Sequence, residues 1–162
     1  CGSFTGMKKI QMIDGNMASF SYRNGMPLPS ENEKVKITHA GFSINMEEKN
    51  NPKLFWMFDF VDKNNSIEKV KIFDITVDNE KLLIDTIISK TKEKQSFLTI
   101  PEAMNPNNFP WLFDSSTTEL FFKFSFTTKN GQSFIIYQPS VYSGGSKSLL
   151  LNIVKKKNDL TK

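Results

Sequence analysis

Cysteine, histidine and arginine each occur once in the 162 residues, as Cys1, His39 and Arg23. One cysteine excludes an internal disulfide and any thiolate-rich metal site. With one histidine besides, a transition-metal centre would have to be built from carboxylates, and none cluster along the chain, so no metal and no cofactor is expected. A Ser-His-Asp relay has only His39 to use, in a strand-like run beside a bend, where a structural part suits it better. Scarce arginine argues against nucleic acid. All but one of the 21 cationic side chains are lysine, a solvated point charge rather than the bidentate fork that reads phosphates and bases. Long apolar runs are missing too. "LFWMF" and "LFFKFSF" are strand-sized, far short of the ~20 residues that cross a bilayer as a helix.

Motifs that carry chemistry are incomplete wherever they begin. No G-x-S-x-G elbow is present; "GGSKS" at Gly144–Ser148 has serine in the place of the last glycine. S-x-x-K occurs at Ser66–Lys69 and Ser89–Lys92, but its chemistry needs a helix start that brings serine and lysine to one face. Here one copy opens a strand and the other lies in a lysine-rich turn. No phosphate-cradling glycine loop occurs. Asp62, Asn64 and Ser66 have calcium-loop spacing, yet Ile67 replaces the turn glycine and Phe73 the bidentate glutamate; a hairpin turn explains them better. Asp59 and Asp74 lie within apolar strands, where burial would raise their pKa. They are expected to face outward at a sheet edge or to pair with lysine. The chain is therefore read as non-enzymatic.

Phenylalanine is abundant: fifteen, against two Trp and three Tyr. Aromatics favour pleated, half-buried surfaces, and the alternation agrees. Ala18, Phe20 and Tyr22 share one face, as do Leu54, Trp56, Phe58 and Phe60. Leu120, Phe122, Phe124 and Phe126 point inward between outward Lys123, Ser125 and Thr127. The opposite face of "KLFWMFDFVD" is also largely apolar, which marks a central strand. The phase slips twice, at His39-Ala40-Gly41 and where Val70 and Ile72 hand over to Phe73, Ile75 and Val77; the first slip suggests a bulge or bend. Turns are expected at "DGN", "RNG", "DKNNS" and "KNGQ". "MPLPSENE" reads as a loop, and "SLLLNIV" as a last strand. These short strands predict an all-β fold: an antiparallel β-sandwich, immunoglobulin-like in broad shape, with a β-barrel as the alternative.

The longest irregular stretch, "PEAMNPNNFPWLFDSS", carries Phe109, Trp111 and Phe113 among prolines. Either these rings plug an open end of the sandwich, or a proline-stiffened loop offers them to a partner at low entropic cost.

Cys1-Gly2-Ser3, followed by the small polar run to Gly6, resembles the start of a mature bacterial lipoprotein. The resemblance implies a diacylglycerol thioether on Cys1, an acylated amine with palmitate-type chains, and, from Gly2, export to the outer membrane after removal of a signal peptide. Two or three chains hold a domain at a membrane where one gives only marginal binding. A trimmed terminus or a free reactive thiol are the other readings of Cys1. Residues 1–6 are then a tether, 7–155 one sandwich domain, and 156–162 a basic tail that is either a solvated end or attracted to acidic lipid. The functional expectation is a lipid-anchored, non-catalytic binding or assembly module for another envelope component, on either face of the membrane. A small-ligand carrier or enzyme with a pocket between the sheets, and a surface-exposed adhesin or antigen, are the alternatives.

Overall fold

A computed structural model describes residues 4–45, 51–77, 79–88, 92–114 and 116–141, with the backbone alone at 113. Cys1, residues 89–91 of the second S-x-x-K copy, "GGSKS", the expected last strand and the basic tail lie outside the described residues. In chain order the strands are β1 (Thr5–Gln11), β2 (Met17–Arg23), β3 (Met26–Pro27), β4 (Val35–Asn45), β5 (Lys53–Asp62) and β6 (Ile67–Asp74). They continue as β7 (Lys81–Ile87), β8 (Lys94–Leu98), β9 (Glu102–Ala103), β10 (Glu119–Thr128) and β11 (Ser133–Val141). One 3-10 turn, Pro110–Phe113, interrupts them. β1 begins inside the segment read as a tether, and the expected loop "MPLPSENE" contributes β3.

The strands form three open antiparallel sheets, ordered β1-β2-β3, β11-β10-β6-β7 and β4-β5-β8, with β9 beside the start of β5. None closes among the described residues, so the fold is a sandwich and not the alternative barrel. Turn chemistry follows the sequence: Asn24 and Gly25 both take positive φ between β2 and β3, the type I′ requirement, and Gly131 does so between β10 and β11. The slip at His39 is a register shift between Ile37 and His39 in the β4–β5 ladder.

Between the two four-stranded sheets the core is filled by rings. Trp56 and Phe58 meet Phe122 edge to face at 5.2 and 5.1 Å, and Phe60 meets Phe126 at 5.1 Å. Such pairs add ~0.5–1.5 kcal/mol each beyond the area they bury. The third sheet is the unexpected part. Phe20 and Tyr22 of β2 join Met12 and Ile75 in a second core, against Phe73, Phe121 and Tyr137 on the outer face of the middle sheet. The middle sheet is thus covered on both faces, and this explains the second slip of phase. Val70 and Ile72 face one layer, Phe73 and Ile75 the other. It also corrects the reading of Lys123, which points away from the main core but lies under the hairpin.

Two polar clamps fix that layer. At its tip, Tyr137 Oη donates to Asp14 Oδ2 at 2.7 Å and accepts from Asn16 Nδ2 at 3.0 Å. Lys123 pairs with Glu80 and lies 3.9 Å from Asp14. Burial raises the Asp14 pKa, but the Tyr137 and Asn16 hydrogen bonds and the Lys123 charge outweigh it and hold the carboxyl below its ordinary value. At the other end the Tyr22 hydroxyl donates to Glu119. Burial first, and that carboxylate second, push the phenol upward.

Candidate functional site

Phe109 and Trp111 are fully buried among the main-core residues. Trp111 packs at 5.7 Å from both Phe42 and Trp56, and Phe109 at 6.0 Å from Trp56. Pro110 starts the 3-10 turn that drives both rings inward. As placed, these two rings pack into the main core, as the plug reading expects; the Phe113 side chain is outside the described residues.

The chemical candidates resolve into structural roles. Asp62 is buried, and its carboxylate accepts Ser66 N and Ile67 N at 3.1 Å each, which closes the β5–β6 turn. That use accounts for the calcium-like spacing. Ser66 and Lys69 are separated by strand, not helix, and Lys69 pairs with Asp85 at 3.4 Å. His39 is exposed, opposite Asp59 in register. Asp59 lies 3.9 Å from Lys94. Asp74 departs from expectation: it is buried, with Oδ1 accepting from Thr76 Oγ1 at 2.6 Å and Thr76 N at 3.0 Å. The carboxylate turns inward because it stitches the chain where β6 ends. Burial raises its pKa, against the Thr76 hydrogen bonds and weaker contributions from Lys81 and Trp111.

The groove that could take a partner runs between β2 and β11, with a volume of about 730 Å³. Consecutive residues of both strands line it, Met17–Ser21 and Ile135–Tyr137. Because neighbours along a strand point to opposite faces, such lining means that backbone edges form the walls. Both edges are open here among the described residues. β11 pairs only with β10, and β2 is paired on this side only from Ser21 onward, by Leu28 N and then β3. Farther along, the β11 edge is protected. Gln138 Nε2 donates to Pro139 O at 3.0 Å, its Oε1 accepts Ser30 N at 2.8 Å, and Pro139 has no N–H to offer. Phe20 and Ile136 reach it from the two cores, Ser30, Glu31, Asn32 and Lys36 make the lining largely polar, and Met17 and Ile135 stand exposed at its margin. Nothing in the alternation of either strand marks this groove, since it arises from how two distant hairpins meet.

A smaller cleft of about 290 Å³ opens between β7 and β8 toward Trp56 and Phe109. Lys81 Nζ spans it, bonded to Glu102 Oε2 at 2.9 Å and Asn108 O at 3.2 Å. Ligand pockets are usually ~300–1,000 Å³, so a carrier site here would be small and already bridged. Comparison with family models, curated proteins and solved structures gives no match.

Proposed function

We propose that this chain is a lipid-anchored, non-catalytic binding module of the bacterial cell envelope, held at the outer membrane through Cys1, whose β2–β11 groove takes an extended segment of another envelope protein. The facing open edges of Met17–Phe20 and Ser133–Tyr137 carry the reading. An inserted strand would pair with both and join the outer sheet to the middle one. Strand addition draws affinity from backbone hydrogen bonds and specificity from alternate side-chain pockets, which fits a groove walled by two backbone edges and lined by both polar and apolar side chains. The Cys1-Gly2-Ser3 start supports the anchored setting.

Photo-crosslinking side chains introduced at Met17 or Ile135, in cells making the whole chain, are expected to capture the same partner, and one at Asn130 is expected not to. With the photo side chain moved to Ser19, an exposed residue that also lines the groove, Met17→Lys with Ile135→Lys should abolish the adduct while the melting temperature stays put. Adducts equally strong from Asn130, or adducts that survive the double variant, overturn the groove assignment. So does amide exchange showing residues 133–137 already protected in the isolated chain by its own residues 148–154. The mass of the amino-terminal peptide from the native protein tests the anchor: a bare thiol on Cys1 refutes it.

A further inference from the structure

We infer that the outward face of the β1–β2–β3 sheet is the surface on which the anchored domain lies against an anionic bilayer; this inference rests on the anchoring reading above. Ile10, Ala18, Phe20 and Tyr22 turn one face of that sheet into the second core. The register therefore sends Met7, Lys9, Met17, Arg23 and Met26 to the other, with Thr5, Gln11, Ser19 and Ser21 between them. Met7 is 74% exposed, Met17 and Met26 57% each, and Phe4, just before β1, 76%. A layer that spends three methionines on its solvent face needs a reason, since scattered single apolar residues are ordinary but a shared face of them marks a contact surface.

Charge selects the occupant. Neither aspartate nor glutamate occurs in β1, β2 or β3, whereas Lys8, Lys9 and Arg23 do. Lys8 is turned inward over the Tyr22 ring at 4.7 Å, which leaves Lys9 and Arg23 outward. Each cation near an anionic surface strengthens attachment about fivefold. Flexible methionines among lysine and arginine, with Met17 at the margin where the groove begins and Met7 and Met26 away from it, suit the headgroup boundary of a lipid layer better than the shaped surface of a protein. Position agrees. Four residue steps separate Cys1 from Thr5, a reach of at most ~14 Å, so an acylated sulfur brings the bilayer first to this sheet.

The two ends of β1 make the test. Gln11 is six steps beyond Thr5, ~20 Å along the strand. A domain that merely hangs from its tether leaves Gln11 in water; one that lies on this face does not. The experiment uses the full chain acylated at Cys1 in vesicles of phosphatidylethanolamine and phosphatidylglycerol. Nitroxide labels are attached to Gln11→Cys or Asn130→Cys, where the introduced thiol is the only free one. Loss of access to a water-soluble nickel relaxant is expected at residue 11 and not at residue 130. Lys9→Glu with Arg23→Glu should restore that access while the acyl chains keep the protein on the vesicles. Equal access at both labels on vesicle-bound, acylated protein overturns the orientation and leaves the anchor standing. An amino-terminal peptide with the mass of a bare cysteine, in protein that does not sediment with the vesicles, overturns the anchor and the orientation together.

Discussion

Replacing Trp111 by alanine is expected to destabilise the fold severely without touching the groove. The ring is fully buried, and its neighbours Phe42 and Trp56 are cross-strand partners on β4 and β5 that already pack edge to face at 6.1 Å on backbones fixed by their pairing. Little of the space left by the indole can therefore close. Large-to-small changes at buried Trp or Phe cost ~3–5 kcal/mol, more where the site cannot collapse, so the upper half of that range is expected. For a chain of this length each kcal/mol lowers Tm by ~2–4 °C, which gives a fall of roughly 8–20 °C. Thermal melts by circular dichroism, with urea unfolding to confirm an unchanged m-value, measure it. Trp111→Phe, which keeps an aromatic ring against Trp56, should lose less than half as much. A Tm within about 2 °C of the parent for the alanine variant would refute the core placement of this ring and return "NPNNFPWLFD" to its other reading as an exposed recognition loop.

Asp74 has a raised folded pKa, so the folded state holds its proton more tightly than the unfolded chain, whose value is 3.8, and this group's contribution to stability falls as pH rises above that. Asp74→Asn should accordingly gain stability over the parent at pH 7, by a margin that closes toward pH 4 in parallel melts. Asp14 has the opposite sign: its folded pKa is lowered, so its contribution is present above 3.8 and is lost as pH falls through the folded value. Amide exchange in β1 and β2 should accelerate over that acid window, and Asp14→Asn should flatten the dependence. Lys123→Met removes the cation between Glu80 and Asp14; losing one partner of a buried pair costs ~3–5 kcal/mol, and ~1–3 is expected at this partly hydrated seam, read by urea unfolding. Gly131→Ala forces a side chain to φ 85° and should lose about 1 kcal/mol in the same assay.

The strands were legible because period-two alternation survives wherever one face meets a core. β10 shows this best: Leu120, Phe122, Phe124 and Phe126 are all buried, as their spacing predicts. The layer order was not legible. Phe73 and Phe121 stand on positions that alternation assigns to solvent, and their aromatic character is explained only once the hairpin packs there, with Phe20 6.0 Å from Phe121. The one available signal was the change of phase after Ile72, which reads equally as a bend or as a strand buried on both faces. The register shift beside it adds Leu83 to β7, while β6 keeps an unbroken register with β10 from Val70 to Asp74, so burial on both faces is the cause. Burial of Asp74 escaped for a related reason. A carboxylate inside an apolar run is ambiguous until its hydrogen-bond donors are known, and Thr76 lies just past the end of the strand.

The groove is informative because several other edges are guarded among the described residues, although that of β1 is not. An open strand edge invites unwanted pairing, and folded proteins blunt it with proline, charge or a covering segment. Here Pro139 and the folded-back Gln138 side chain close the second half of the β11 edge. Ser30 O accepts Ile37 N beside β4, with a further bridge from Glu31 to Lys36. The Lys81–Glu102 pair spans the mouth between β7 and β8. A chain that applies three different devices to its edges yet leaves Ser133–Tyr137 bare among the described residues, across the groove from a second such edge in Met17–Phe20, offers two half-ladders with room between them. Satisfying both at once takes one extended segment, which would turn the outer hairpin, now held by a small core and two polar clamps, into a continuous extension of the middle sheet. Partner binding and hairpin stability are then coupled: a ligand strand should protect the amides of β1 as well as those of β2 and β11, although it touches only the latter two.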